Sequence, residues 1–167
     1  VYQYSLSTAF TVSTASYDSV SFSVSSQSSR PMGMTFNNDG TKMYIVCRDN
    51  DAVYQYSLSS GFDLSTASYD SVSLDVSTQD NSPNSIRFNA DGTKMYILGA
   101  QYEYVFQYGL SSAFDLSTAS YDSVYYDFNA QGTDGSGLTF SPDGTRMFIV
   151  CDSNNTAFQY SLSSGND

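Results

Sequence analysis

Hydrophobic and polar positions fall into short patterns that change character every five to seven residues. Met32, Met34 and Phe36 alternate with Gly33 and Thr35, the period of two of a strand with one buried face. Asn38-Asp39-Gly40-Thr41 interrupts the alternation, and Gly40 supplies the positive φ that a tight hairpin turn needs. Beyond Lys42 the next stretch, to Cys47, is wholly apolar, as in a strand covered on both faces. From Val53 to Leu58, the side chains of Tyr54, Tyr56 and Leu58 share one face. A loop of about ten residues follows, carrying Phe62 and Leu64. From Ser71 to Val76, Val72, Leu74 and Val76 point inward while Ser71, Ser73 and Asp75 point outward, the mark of a half-solvated outer strand. The pattern predicts a unit of four short antiparallel strands.

The unit recurs. VYQYSL at position 1 returns at 53, as VFQYGL at 105 and as AFQYSL at 157. STASYDSV stands unchanged at 13, 65 and 117, and NNDGTKMYIV at 37 returns as NADGTKMYIL at 89 and SPDGTRMFIV at 141. The spacing is 52 throughout, giving repeats 1–52, 53–104 and 105–156 and the start of a fourth at 157–167. Four strands at a period near 50 predict a β-propeller blade, so the expected fold is all-β, with three repeats in a single propeller segment. The coils of a β-solenoid are much shorter, and an immunoglobulin-like sandwich does not predict strict internal repetition.

The stretch FSPDGTRMFIV at 140 resembles the SPDGT-type hairpin of WD40-like and YVTN-type propeller repeats. LSTASYDSV followed by NNDGTKMYIV resembles tandem repeats in propeller proteins of marine bacteria and phages. The resemblance implies a propeller. Some YVTN-type relatives are lactonases, so it also implies a lactonase-like activity as an alternative. Against that activity stand the absence of histidine and a single glutamate, Glu103.

Composition narrows the function classes. Without histidine there is no Ser-His-Asp triad and no His-ligated zinc. Six basic residues against 17 acidic ones give a net charge of −11, which argues against a nucleic-acid partner. With 15 Tyr and 11 Phe the chain is too aromatic for disorder. Its apolar runs fall far short of the ~20 residues of a membrane span, so no membrane insertion is expected. Cys47 and Cys151 occupy equivalent positions two repeats apart and are expected to be free, half-buried thiols. The chain opens at Val1 without Met and reads as cut from something longer. Its Ser/Thr/Tyr/Asp-rich, Lys-poor composition suits an extracellular or virion-surface protein.

Candidate site residues lie on the loops that differ between repeats, where binding residues usually sit. Between second and third strands these are Arg48, Asp49 and Asp51, then Gln101, Tyr102 and Glu103, then Asp152 and Asn154. Between units they are Arg30, then Asp80 and Asn81, then Asp134. Asp49-Asn50-Asp51 could offer oxygens to Ca²⁺, but without the EF-hand pattern it reads as a solvated turn. Tyr102 and Tyr104 flanking Glu103 resemble a stacking surface for a glycan or a protein ligand, and Arg30 with Arg48 resemble a carboxylate-binding patch. Asp39, Asp91 and Asp143 read as turn formers, and Asp18, Asp70 and Asp122 as acceptors for loop amides. Met32, Asn84 and Ser136, which open the first strands, do not look like ligands.

These features give the sequence-based expectation of a non-enzymatic module for adhesion, receptor binding or assembly, with no catalytic residue, metal or cofactor. Its alternatives are a lactonase-like hydrolase using a metal in the propeller channel, and an excised or engineered repeat array. Closed propellers carry roughly 4 to 8 blades. A three-repeat fan with open apolar ends is therefore expected to close with itself, as a homodimer of six blades rather than a homotrimer of nine, through the strand from Ser19 to Val24. One copy of the third strand, at Val1 or at Ala157, is surplus at the seam.

Overall fold

The computed structural model describes residues 1–162. The strands form four antiparallel sheets. β1 (Tyr2–Leu6) and β2 (Ala15–Ser21) pair as a half-blade. β3 (Pro31–Phe36), β4 (Lys42–Cys47), β5 (Ala52–Leu58) and β6 (Ala67–Asp75) make a complete meander, and β7 (Pro83–Phe88), β8 (Lys94–Gly99), β9 (Tyr104–Leu110) and β10 (Ala119–Asp127) make a second. β11 (Gly135–Phe140), β12 (Arg146–Cys151) and β13 (Thr156–Ser161) form the last sheet. The first strands β3, β7 and β11 pack side by side as the inner wall, and the sheets radiate from them, the architecture of a β-propeller.

The core lies between blades, which explains why the second strands are apolar on both faces. Along β4, Met43, Ile45 and Cys47 join Val24, Tyr56 and Leu58 on the side of the half-blade. Tyr44 and Val46 point the other way, into a cluster with Ile86, Met95 and Ile97 of the next blade. A third cluster, around Leu98, Phe128, Leu138 and Ile149, joins the last two sheets. Each fully buried large side chain contributes roughly 1.5–3 kcal/mol relative to exposure. Val20 and Phe22, expected on a joining face, pack inside the chain in the first of these clusters, and Phe22 meets the Tyr56 ring edge-on at 5.4 Å.

The outer strands depart from the alternation. β6 starts at Ala67 rather than Ser71, after a single 3₁₀ turn at Leu64–Thr66, and its register shifts between Tyr69 and Val72. Ser71 holds φ at 59°, as do its equivalents Ser19 and, at 61°, Ser123. This bulge re-aims the preceding aspartate. Asp70 accepts from Lys42 Nζ and Gln55 Nε2, both at 2.8 Å, and Asp122 does the same with Lys94 and Gln107. These two therefore serve cross-strand side chains rather than loop amides. Asp18 also takes a backbone amide, that of Ser5, and Asp122 takes that of Gly109, both within strands.

Buried phenols make alkaline stability a test of this packing. Tyr56 and Tyr108 donate to Gln27 Oε1 and Gln79 Oε1 at 3.3 and 3.1 Å, and Tyr44 donates to the Phe114 carbonyl. Burial pushes all three phenols well above their ordinary value, and pushes Tyr160 up to about 12. A raised folded-state value means that stability is complete below the unfolded value near 10 and declines as pH rises from there toward the folded one. The melting temperature should hold to about pH 10 and fall above it, with cooperative release of tyrosinate absorbance. Independent titration of every tyrosine near pH 10 without unfolding would contradict the interblade placement.

Cys47 and Cys151 are free, in different sheets and fully buried rather than half-buried. Burial raises both thiols above their ordinary value. Both should resist alkylation in the native protein and label completely in denaturant, as mass measurement without reductant would show.

Candidate functional site

At the end of the inner wall that carries the variable loops, each first strand opens on a bulge. The register skips one residue between Pro31 and Gly33, between Pro83 and Ser85, and between Gly135 and Gly137. The skipped residues are Met32, Asn84 and Ser136. Together with Arg48, Asp134, Asp152 and Ser153 they line a groove of about 370 Å³. The bulges place Met32, Asn84 and Ser136, which the sequence does not mark as ligands, in the wall of this groove, positions that a regular alternation would not give them.

The groove holds groups with unused hydrogen-bonding capacity. Arg48 follows β4, anchored by its backbone amide donating to the Arg30 carbonyl at 3.0 Å, and its Nε is buried without a partner. Asn84 is buried, donates Nδ2 to the Gly135 carbonyl at 2.7 Å and leaves Oδ1 unpartnered. Ser136 Oγ donates to Asp152 Oδ1 at 3.0 Å. Asp134, with φ at 56°, is fixed through its amide, which donates to Glu103 Oε1 at 3.0 Å. A buried polar atom without a partner costs stability, so such atoms at a groove wall point to a ligand.

The remaining candidates hold the loops. Glu103, 8% exposed, accepts from the amides of Asp134 and Gly135 and fixes the entry to β11. Asp80 is fully buried and accepts from the amides of Ser82, Gln101 and Tyr102. Asp49 accepts from Ser28 Oγ and from the amide and hydroxyl of Ser29, and these bonds lower its carboxyl to about 2. Asn81 donates its amide to Gln101 Oε1 at 3.1 Å, and Asn154 Nδ2 donates to the Gln131 carbonyl at 2.9 Å. The carbonyl of Asp51 accepts the Val76 amide at the end of the outer strand, and burial pushes its carboxyl up. Tyr102 lies tilted 6.1 Å from Tyr104, which stacks on Tyr125 of the outer strand. Neither Tyr102 nor Arg30 lines the groove. Among the described residues no group of three or more His, Cys, Asp or Glu is placed to hold a metal ion.

No protein-family model matches the sequence, and no curated protein matches it. Solved structures match in fold. A candidate 6-phosphogluconolactonase from Bacteroides uniformis superposes with a TM-score of 0.62 at 11% identity, over 81% of this chain and 38% of its own. A second, from Bacteroides fragilis, gives 0.56 at 16%, over 80% and 35%. The periplasmic gluconolactonase of Pseudomonas aeruginosa gives 0.53 at 14%, over 80% and 37%. The chain thus spans well under half the length of these structures. They bear out the propeller and overturn the expectation of a non-enzymatic module. That expectation rested on near-identical blades and missing histidine, yet the same blade arrangement occurs in proteins described as lactonases. Among the described residues no helix is long and apolar enough to cross a membrane.

Proposed function

We propose that this chain supplies part of the channel of a lactonase-type propeller, and that the axial groove binds a sugar lactone and opens it with water. The observation that carries this reading is the buried, unpartnered Arg48 Nε in the same groove as the Ser136–Asp152 pair. The fold likeness to the gluconolactonase and the SPDGT-type hairpin of YVTN-type repeats support it. Asp152, oriented by Ser136, takes a proton from water as the water oxygen bonds to the lactone carbonyl carbon. The Arg48 guanidinium takes the oxyanion that develops. The carbon–oxygen bond of the ring then breaks, and the departing alkoxide recovers the proton from Asp152. Asn84 Oδ1 accepts from a sugar hydroxyl. The product is a hydroxy acid that releases one proton at neutral pH. In keeping with the periplasmic match, the protein is assigned to a compartment outside the cytoplasm.

Proton release from gluconolactone and its 6-phosphate, followed at constant pH, tests the reading. Saturable acceleration over the buffer rate is expected with at least one of them. Buffer-rate opening of both, at protein concentrations well above catalytic, would overturn it.

A further inference from the structure

Three interactions recur from blade to blade, and each stops one short at both ends of the fan. The first is an aromatic lid. Phe62 and Phe114 lie over the turn glycines of their own blades, so close that a Cβ on Gly40 or Gly92 would come within 2.4 or 2.3 Å of the ring. The amide of each Phe donates to the carbonyl of that glycine at 3.0 Å. The third turn glycine, Gly144, has nothing among the described residues within 4 Å of its Cβ position and borders an open socket of about 500 Å³ lined by Tyr96, Phe140 and Leu162. The remaining ring is Phe10, in the β1–β2 loop. Its φ of 59° matches the 61° and 58° of Phe62 and Phe114, yet it is 97% exposed. A ring held in the seated backbone geometry has no seat, and a seat has no ring.

The second is charge. Lys42–Asp70 and Lys94–Asp122 are ion pairs at 2.8 Å. The third cation of the repeat, Arg146, is exposed and in no ion pair among the described residues. The remaining carboxylate, Asp18, accepts from Gln3 Nε2 at 3.0 Å and is in no ion pair among the described residues. The third is an interblade clip. Gln3 Oε1 accepts the Leu64 amide and Gln55 Oε1 accepts the Leu116 amide, both at 2.8 Å. Gln107 makes the bond to its own blade's Asp122 without that second bond among the described residues, and the equivalent amide is that of Val12.

We propose that the β1–β2 half-blade of one copy of this chain completes the last sheet of a second copy. Phe10 seats over Gly144, Asp18 pairs with Arg146 and the Val12 amide closes the clip on Gln107. The reciprocal contact closes a two-chain ring of six blades, independently of the reaction proposed above. The complementarity of shape and charge is that which joins the inner and outer halves of each of the two complete blades. At each seam the surplus strand β13 gives way. β1 is held by Gln3 to two neighbours and by the Val1 ammonium to the Phe22 carbonyl at 2.9 Å, whereas β13 is held by its ladder with β12 and by the packing of Phe158 and Tyr160, without a side-chain tie of the Gln3 kind among the described residues. Exposed Tyr4 and Leu6 then take up the positions that buried Tyr56 and Leu58 hold in the complete blade.

Sedimentation equilibrium of the 167-residue chain tests the proposal. The wild type should show twice 18.3 kDa. Phe10→Ala, at an exposed position, should weaken association roughly 30-fold or more, as truncating a central aromatic anchor does. Arg146→Asp and Asp18→Arg should each be monomeric alone, because each places like charges at both seams. Mixed in equal amounts they should form a dimer, since every seam then pairs opposite charges. A wild type that stays monomeric, leaving the socket to another segment or partner, overturns the proposal. So does a trimeric mass, or charge variants that self-associate like the wild type.

Discussion

Gly92→Val should lower the melting temperature by roughly 5 to 20 °C, while Gly144→Val lowers it far less and Ser60→Ala leaves it unchanged. Gly92 holds φ at 75°, where a β-branched residue is strained by about 1–3 kcal/mol. A Cβ there would also lie 2.3 Å from the Phe114 ring, and overpacking of that kind adds about 1–3 kcal/mol. For a chain of this size each kcal/mol shifts melting by about 2–4 °C. Gly144 shares the strained φ, at 69°, but its Cβ would meet open space, so only the backbone cost remains. Its deficit should appear in association instead, because the valine occupies the seat assigned to Phe10. Ser60 is exposed. Thermal denaturation followed by circular dichroism separates the three, and equal melting of Gly92→Val and wild type would show that the Phe114 lid does not rest on that turn.

The largest functional effects are expected in the groove. Arg48→Ala removes the donor assigned to the oxyanion, a loss of about 10²–10³ in turnover where one such donor is deleted. Asp152→Asn keeps size and most hydrogen bonding but cannot take a proton, and should cost about 10²–10⁴. Asp49→Asn, which touches only the clamp to Ser28 and Ser29, should leave turnover near wild type. Turnover near wild type in Arg48→Ala and Asp152→Asn would place the chemistry outside the groove.

The strands were legible because two periods dominate them. Alternation marks β3 and β6, and the apolar run of β4 follows from facing a different blade on each side. The early start of the outer strand was not legible, since a serine at φ near 60° carries no turn signal of the kind glycine gives. The same limit hid Asn84 and Ser136, whose place at the axis depends on bulges opening β7 and β11. Loop variability misled for another reason. One task, tying the two variable loops of a blade together, is done by Asp49 from one loop and by Asp80 from the other. In the third blade Ser153 does it, exchanging hydrogen bonds with Thr133. Chemically different loops therefore reflect different solutions to one structural problem, met by Asp80 and Asp49, while Glu103 ties its loop to the entry of the next sheet. Of the sequence candidates, Arg48, Asp134 and Asp152 line the groove because they flank the inner strands, where the radial arrangement brings the loops together.

The most direct measurement is lactone opening at constant pH by wild type and Arg48→Ala side by side, on the lactone that the wild type accepts and at matched folded concentration. The account predicts saturable proton release by the wild type and, for the variant, a rate above the buffer background reduced to about 1% of the wild-type value or less. Equal rates for the two proteins, whether at background or above it, would contradict it.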